Sequence, residues 1–171
     1  KDYEPLLGVP TSFRAPLYPA FLAIVYLING VDFSRFFAAR LAQAIFLGAP
    51  LAPLTYSVAQ RLFPLPVGVG GVRGESAAQT SAWIVAAYPL LLIYPLGLGT
   101  ENPFFVLLLS SFLFLLQSIE RPAASRLLLS GFFLGLTALT RSVILPFALS
   151  AFCLLLFLHR KRALLSILSF V

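Results

Sequence analysis

The chain has 171 residues, of which 60% are hydrophobic and 11% charged, with a mean hydropathy of +0.96, whereas a soluble domain carries about a quarter charged residues. That composition excludes a disordered chain, a disulfide-rich secreted module and a nucleic-acid-binding domain, and it marks an integral membrane protein. Twelve Lys and Arg against six Asp and Glu give a net charge of +6, but the basic residues fall in small groups between apolar runs, so the surplus reads as membrane orientation.

The chain opens on Lys1-Asp2-Tyr3, contains no methionine, and ends inside a fresh apolar segment at 163–171; it is expected to be a fragment. In chain order, residues 1–35 read as an external loop with a short apolar helix at 17–29. That helix would be about 20 Å long at 1.5 Å per residue, against a hydrocarbon core of about 30 Å, so it is expected to lie in the interface. Residues 36–60 are long enough to span, with Arg40 near one end and Pro50 and Pro53 expected to kink the middle. The Gly- and Pro-rich stretch Phe63 to Thr80 reads as a loop. Further spans are expected at 81–98, 103–119, 127–139 and 142–158. The fold class is therefore all-α: a polytopic transmembrane helix bundle of about five spans plus a short interfacial N-terminal helix.

The last two spans come from one apolar run, Leu127 to Leu158. As a single helix it would reach about 48 Å and put the basic groups at its ends on opposite faces of the membrane. A break at Thr140-Arg141-Ser142 removes both difficulties and places Arg141 at or below the outer surface, where a charge is costly and faces a polar cavity or a partner. Arg61 with Arg73, Arg121 with Arg126, and Arg160-Lys161-Arg162 recur after every second span, which assigns their loops to the cytoplasm. Thr100-Glu101-Asn102, Thr140-Arg141-Ser142 and the N-terminal stretch then face outward. Arg14, Arg35, Arg40 and Arg141 are the exceptions to the positive-inside pattern, and they are where function is sought.

An ordered series of short elements runs through the chain: Arg14-Ala15-Pro16-Leu17-Tyr18-Pro19, Ala39-Arg40-Leu41 with Gln43, Gln60-Arg61-Leu62-Phe63, Thr100-Glu101-Asn102, and Gly131 to Arg141. Taken together, this series resembles the membrane module of the type-C glycosyltransferases, in the bacterial branch similar to protein O-mannosyltransferases and the aminoarabinose transferase of lipid A. The resemblance implies transfer of a sugar from a polyprenyl-phosphate donor to a lipid, polysaccharide or protein acceptor on the extracytoplasmic face, in a multi-pass protein of the plasma membrane, the bacterial inner membrane being the natural setting. It also implies an acidic general base in the first external loop, within hydrogen-bond reach of the acceptor hydroxyl, and cations near the departing lipid phosphate. The family's Asp-Glu pair lies further upstream of the Arg14-to-Pro19 element than Asp2 or Glu4 allows, so that base is expected outside this chain. Nucleic acid is not a partner. No cofactor is implied beyond a divalent metal, which stays open. Gly68, Gly70, Gly71 and Gly74 match no nucleotide-binding glycine pattern, because Arg73 takes the last glycine position of GxGxxG.

Glu101 corresponds to the family's second external acidic position; its structural reading is a favourable charge at a helix start, with Asn102 as N-cap and Pro103 at the first helical position. Arg141 and Arg14 are the carrier-phosphate candidates, since Arg contacts phosphate bidentately. Arg141 could equally snorkel to lipid headgroups. Arg40 is expected to pair with Asp32 or the interface, and Arg35 is a weaker candidate. Gly131-x-x-x-Gly135 reads as a close helix contact, Trp83, Tyr88 and Tyr94 as anchors or packing, and His159 as interfacial. Cys153 has no partner for a disulfide and no metal-binding spacing, and no metal ligand is assigned. A transporter or a non-catalytic membrane scaffold is the alternative, because broken helices and an intramembrane Arg suit it as well.

Overall fold

A computed structural model describes residues 15–30, 32–63, 72–121, 123–146, 149–150 and 153, and every regular element among them is helical. Helix α1 (Leu17–Asn29) ends where Gly30 takes φ 78° and ψ −169°, a positive-φ region open essentially to glycine. Helices α2 (Ser34–Gln43) and α3 (Leu51–Leu62) are joined by a π-helical turn, Ala44–Gly48. The expected kink thus takes the form of a register change ahead of Pro50. Pro50 has no N–H to give the helix ladder, and Ala49 N–H instead reaches five residues back to the Ala44 carbonyl at 2.8 Å.

Helix α4 (Val72–Ala87) begins inside the stretch expected to be a loop. Five of the eight residues from Glu75 to Ala82 are polar, so a hydropathy pattern passes over them, yet Ala, Glu and Gln are good helix formers. The expected span 81–98 is broken. Tyr88 is extended, with ψ 114°, as steric clash with the ring of Pro89 requires, and a short helix α5 (Pro89–Ile93) follows. Helices α6 (Glu101–Glu120) and α7 (Ala124–Thr140) form an antiparallel pair, and α7 gives way at the extended Arg141 to a 3-10 turn, Ser142–Ile144. Most of the expected 142–158 span lies outside the described residues.

Two helices among the described residues are long and apolar enough to cross a membrane: the continuous segment Ser34–Leu62, 29 residues, and Glu101–Glu120, 20 residues. Of the five expected spans, these two are helices of that length among the described residues. Helices α1 and α7 have 13 and 17 residues, about 20 and 26 Å, and the break at Tyr88-Pro89 divides the segment 81–98 into two shorter helical pieces.

Polar side chains share the interior with Val25, Ala39, Leu51, Val58 and Ile144, while many large apolar side chains face outward. Gln43, Asn102 and Thr137 are fully enclosed, with Ser110, Ser111, Ser130 and Thr140 also buried, while Leu27, Phe33, Leu128 and Trp83 are largely exposed. A hydrocarbon solvent favours this arrangement, because apolar side chains lose nothing by facing lipid and polar ones must find partners inside.

Helix α6 packs on α7 and α3, α4 lies on α3, and α1 touches α2 and α7. Between α6 and α7 each of two serines donates to the other's backbone: Ser111 Oγ to the Ser130 carbonyl at 2.9 Å and Ser130 Oγ to the Ser111 carbonyl at 3.0 Å. Phe114 and Phe133 stack beside them, with ring centroids 5.5 Å apart. The contact stripe on α7 is therefore Ser130, Phe133 and Thr137. Gly131 and Gly135 are rotated out of it and a Cβ on either would meet nothing within 4 Å, so they do not make the expected helix contact among the described residues. Ser130→Ala should cost about 0.6 kcal/mol, the average for an interhelical hydrogen bond in a membrane protein, measured by reversible unfolding in mixed micelles; no change would mean that the serine pair adds nothing.

Two charge clusters mark the ends of α6, which is about 30 Å long. At its C-terminal end Arg61 Nε lies 3.5 Å from Glu120 Oε1, and Arg126 donates to the carbonyls of Gln117 and Arg121 at 3.1 Å each, capping the helix. At its N-terminal end lie Glu101 and Arg141.

Candidate functional site

The loop leading into α6 is unusual. Pro95 and the turn around it bring the chain to Leu98, a non-glycine residue at φ 51°, followed by Gly99 and Thr100. Helix α6 starts at Glu101, with no side-chain cap on its first turn. Asn102 is therefore not the expected N-cap. It is fully buried in the first turn, where its amide nitrogen reaches the Leu91 carbonyl at 3.5 Å. Pro103 is tolerated beside it, since first-turn N–H groups have no intrahelical partner to lose.

From this helix start Glu101 extends toward the end of α7. Glu101 Oε1 lies 3.6 Å from Arg141 Nη1, with the carboxylate side chain 25% and the guanidinium side chain 46% exposed. The two residues are forty positions apart, and their meeting is a product of the antiparallel α6–α7 pair. Both line a cavity of about 850 Å³, walled on one side by Ala15, Tyr18, Pro19 and Leu22 and on the other by Leu98 to Glu101 and Thr140 to Val143. The extended backbone of Arg141 matters here, because continuation of α7 would carry the side chain away around the helix. Arg14 lies outside the described residues; Ala15, the residue after it, is in the cavity wall.

A second layer supports the wall. The Tyr18 hydroxyl donates to Gln43 Oε1 at 2.7 Å, and Gln43 Nε2 donates to the Gly99 carbonyl at 2.9 Å. Burial, with Tyr26 and Glu101 nearby, pushes the Tyr18 phenol up to about 12, so it remains a hydrogen-bond donor across the physiological range. The Glu101 carboxylate folds back over Gly99, leaving no room for a Cβ there. Tyr18 and Gln43 stand in the ordered series of short elements, but sequence alone gave them no role. The available signal was an amide, Gln43, inside the mostly apolar segment 36–60 rather than at its end.

The remaining arginines are elsewhere. Arg35 lies over the rings of Phe36 and Tyr26, 4.8 and 5.5 Å from their centroids, a cation–π arrangement. Arg40 makes no ion pair with Asp32 among the described residues: Asp32 precedes the start of α2 and Arg40 lies in its last turn.

Glu101 is the carboxylate at the cavity, and among the described residues no three His, Cys, Asp or Glu side chains group together. The described residues do not fit a divalent-metal site. What the arrangement offers is a half-exposed guanidinium whose one ion pair among the described residues is with Glu101, a carboxylate acceptor beside it, and a partly apolar pocket large enough for a monosaccharide.

Neither a curated protein nor a solved structure matches the chain. A family model does, that of dolichyl-phosphate-mannose-protein mannosyltransferase, and its match over residues 13–171 takes in α1 through α7, both charged residues of the cavity and the Tyr18–Gln43–Gly99 support behind them. With nearly the whole chain accounted for, the protein belongs to the dolichyl-phosphate-mannose-protein mannosyltransferase family.

Proposed function

We propose that this chain forms part of a membrane glycosyltransferase that takes a sugar from a polyprenyl-phosphate carrier in the cavity between α1, α6 and α7 and delivers it to an acceptor hydroxyl on the extracytoplasmic side. The observation that carries this is the Glu101–Arg141 pair at a cavity of about 850 Å³. Membership of the family supports a lipid-linked sugar donor and favours transfer over transport. The side of the membrane is supported by Arg61, Arg121 and Arg126, which gather at the opposite end of α6, where cytoplasmic positive charge is expected.

In this reaction the bond between the sugar C1 and the phosphate oxygen breaks, a bond from C1 to the acceptor oxygen forms, the hydroxyl proton passes to a base, and the lipid phosphate leaves. The phosphate goes from one negative charge to two. Arg141 stabilises the charge as it develops, which is worth most in a partly desolvated site. Glu101 holds the guanidinium in place and accepts hydrogen bonds from sugar hydroxyls.

The full-length protein, purified in nanodiscs and supplied with dolichyl-phosphate-[14C]mannose and an acceptor protein, tests this. Glu101→Gln keeps shape and removes charge, and it should lower transfer about tenfold or more. Transfer by Glu101→Gln at the unaltered rate would remove Glu101 from the site.

A further inference from the structure

Gln43 is enclosed on all sides, and both ends of its amide are committed: the oxygen accepts from Tyr18 on α1, and the nitrogen donates to the carbonyl of Gly99 in the loop before α6. The partners lie 25 and 56 positions away in sequence, so this one side chain joins three separate elements. Its orientation is fixed. Turned over, the amide would set its oxygen against the Gly99 carbonyl, two acceptors with no proton between them.

The loop that Gln43 holds has a conformational cost. Leu98 sits at φ 51°, a region that disfavours side chains with a Cβ by roughly 1 kcal/mol or more and persists where surroundings over-determine it. Gly99 follows it, and its carbonyl is the atom Gln43 binds. Two residues on, Glu101 begins α6 and points its carboxylate back over Gly99 toward Arg141. The position of the carboxylate thus depends on the peptide that Gln43 anchors.

We propose that Gln43 is a positioning residue for the reaction: by binding the Gly99 carbonyl, with Tyr18 setting the direction of its amide, it fixes where the Glu101 carboxylate stands in the cavity. Gln43 touches neither donor nor acceptor. It lies outside the cavity lining, whereas Tyr18 and Gly99 belong to it. The inference rests on the transferase reading above, and it adds a requirement that reading does not contain, namely that the effect of Gln43 is transmitted entirely through Glu101.

A double-mutant cycle separates positioning from a general contribution to folding. In nanodiscs with dolichyl-phosphate-[14C]mannose as the probe, Gln43→Leu, similar in volume and without hydrogen bonds, should lower kcat roughly ten- to a hundredfold, the scale on which displacement of a catalytic group by about 1 Å acts, while the donor KM changes less than threefold. Placed on Glu101→Gln, the same change should produce no further loss, because the group it positions is already disabled. Tyr18→Phe keeps the packing and removes a single oxygen, and it runs through the same cycle where Gln43→Leu does not assemble; its loss should be smaller and equally absent on Glu101→Gln. Additive losses overturn the proposal and leave the transferase reading intact. If Glu101→Gln alone transfers at the normal rate, the positioning proposal is overturned and Glu101 leaves the site while the transfer reaction stands; no transfer by the unaltered protein would overturn the transferase reading itself.

Discussion

Arg141→Ala is expected to lower kcat/KM for dolichyl-phosphate-mannose by about 10²- to 10³-fold, the range seen when a donor to a developing oxyanion is removed. The carrier phosphate enters as a diester with one charge and departs as a monoester with two, so a cation beside it favours the transition state over the bound donor. The loss should therefore fall on kcat as well as KM. The geometry leaves Arg141 able to do this. Its pair with Glu101 is made through Nη1 at 3.6 Å, an ion pair longer than a hydrogen bond, and the side chain is 46% exposed, so donors remain for a phosphate. Arg141→Lys keeps a point charge but loses the planar fork, and should recover part of the rate. Arg61→Ala, which breaks the ion pair with Glu120 at the opposite end of α6, should transfer within about threefold of the unaltered protein, as expected for a half-exposed pair worth at most about 1 kcal/mol. If Arg141→Ala transferred normally, Arg141 would be an anchor to lipid headgroups and the phosphate site would have to lie elsewhere.

How much of this could be read in the sequence depends on which physical property carries each feature. Continuous apolarity was enough for the segment 34–62 and for α6, and the length limit on the run from Leu127 to Leu158 pointed to Arg141, where α7 ends. Hydropathy failed where helix formation and lipid exposure part company: α4 begins among polar residues at Val72, and Pro89 divides an apolar run that looked continuous. The glycines of α7 misled for another reason. Their four-residue spacing defines a stripe, but nothing in that spacing says whether it or the adjacent Ser130–Phe133–Thr137 stripe faces α6.

The site was visible one residue at a time. Glu101 and Arg141 each stood out as a charge flanking apolar helices, but their pairing needs the antiparallel packing of α6 on α7, a tertiary property with no sequence period. Gln43 was harder still. A buried amide announces a polar contact, and which backbone carbonyl it holds follows from the fold alone.

The same geometry makes Gly99 the most sensitive small residue of the site. An added Cβ would run into the Glu101 carboxylate, whereas its other near neighbour, the Tyr94 carbonyl, is at an ordinary 3.8 Å. The obstacle is the far end of a flexible side chain, and Gly99 lies outside the left-handed region, so Gly99→Ala should fold with a stability change within about 1 kcal/mol. Relief comes by rotating Glu101 away from Gly99 and from Arg141. Transfer should then fall to about the level of Glu101→Gln, tenfold or more, and Gly99→Ala should add nothing on a Glu101→Gln background. Gly97→Ala is the matched control in the same loop, since its Cβ would meet the Tyr94 carbonyl at 3.8 Å and nothing else nearby; it should retain transfer. A Gly99→Ala protein as active as the Gly97→Ala protein would falsify the requirement that the carboxylate lie against this loop, because the substitution cannot leave Glu101 where it is.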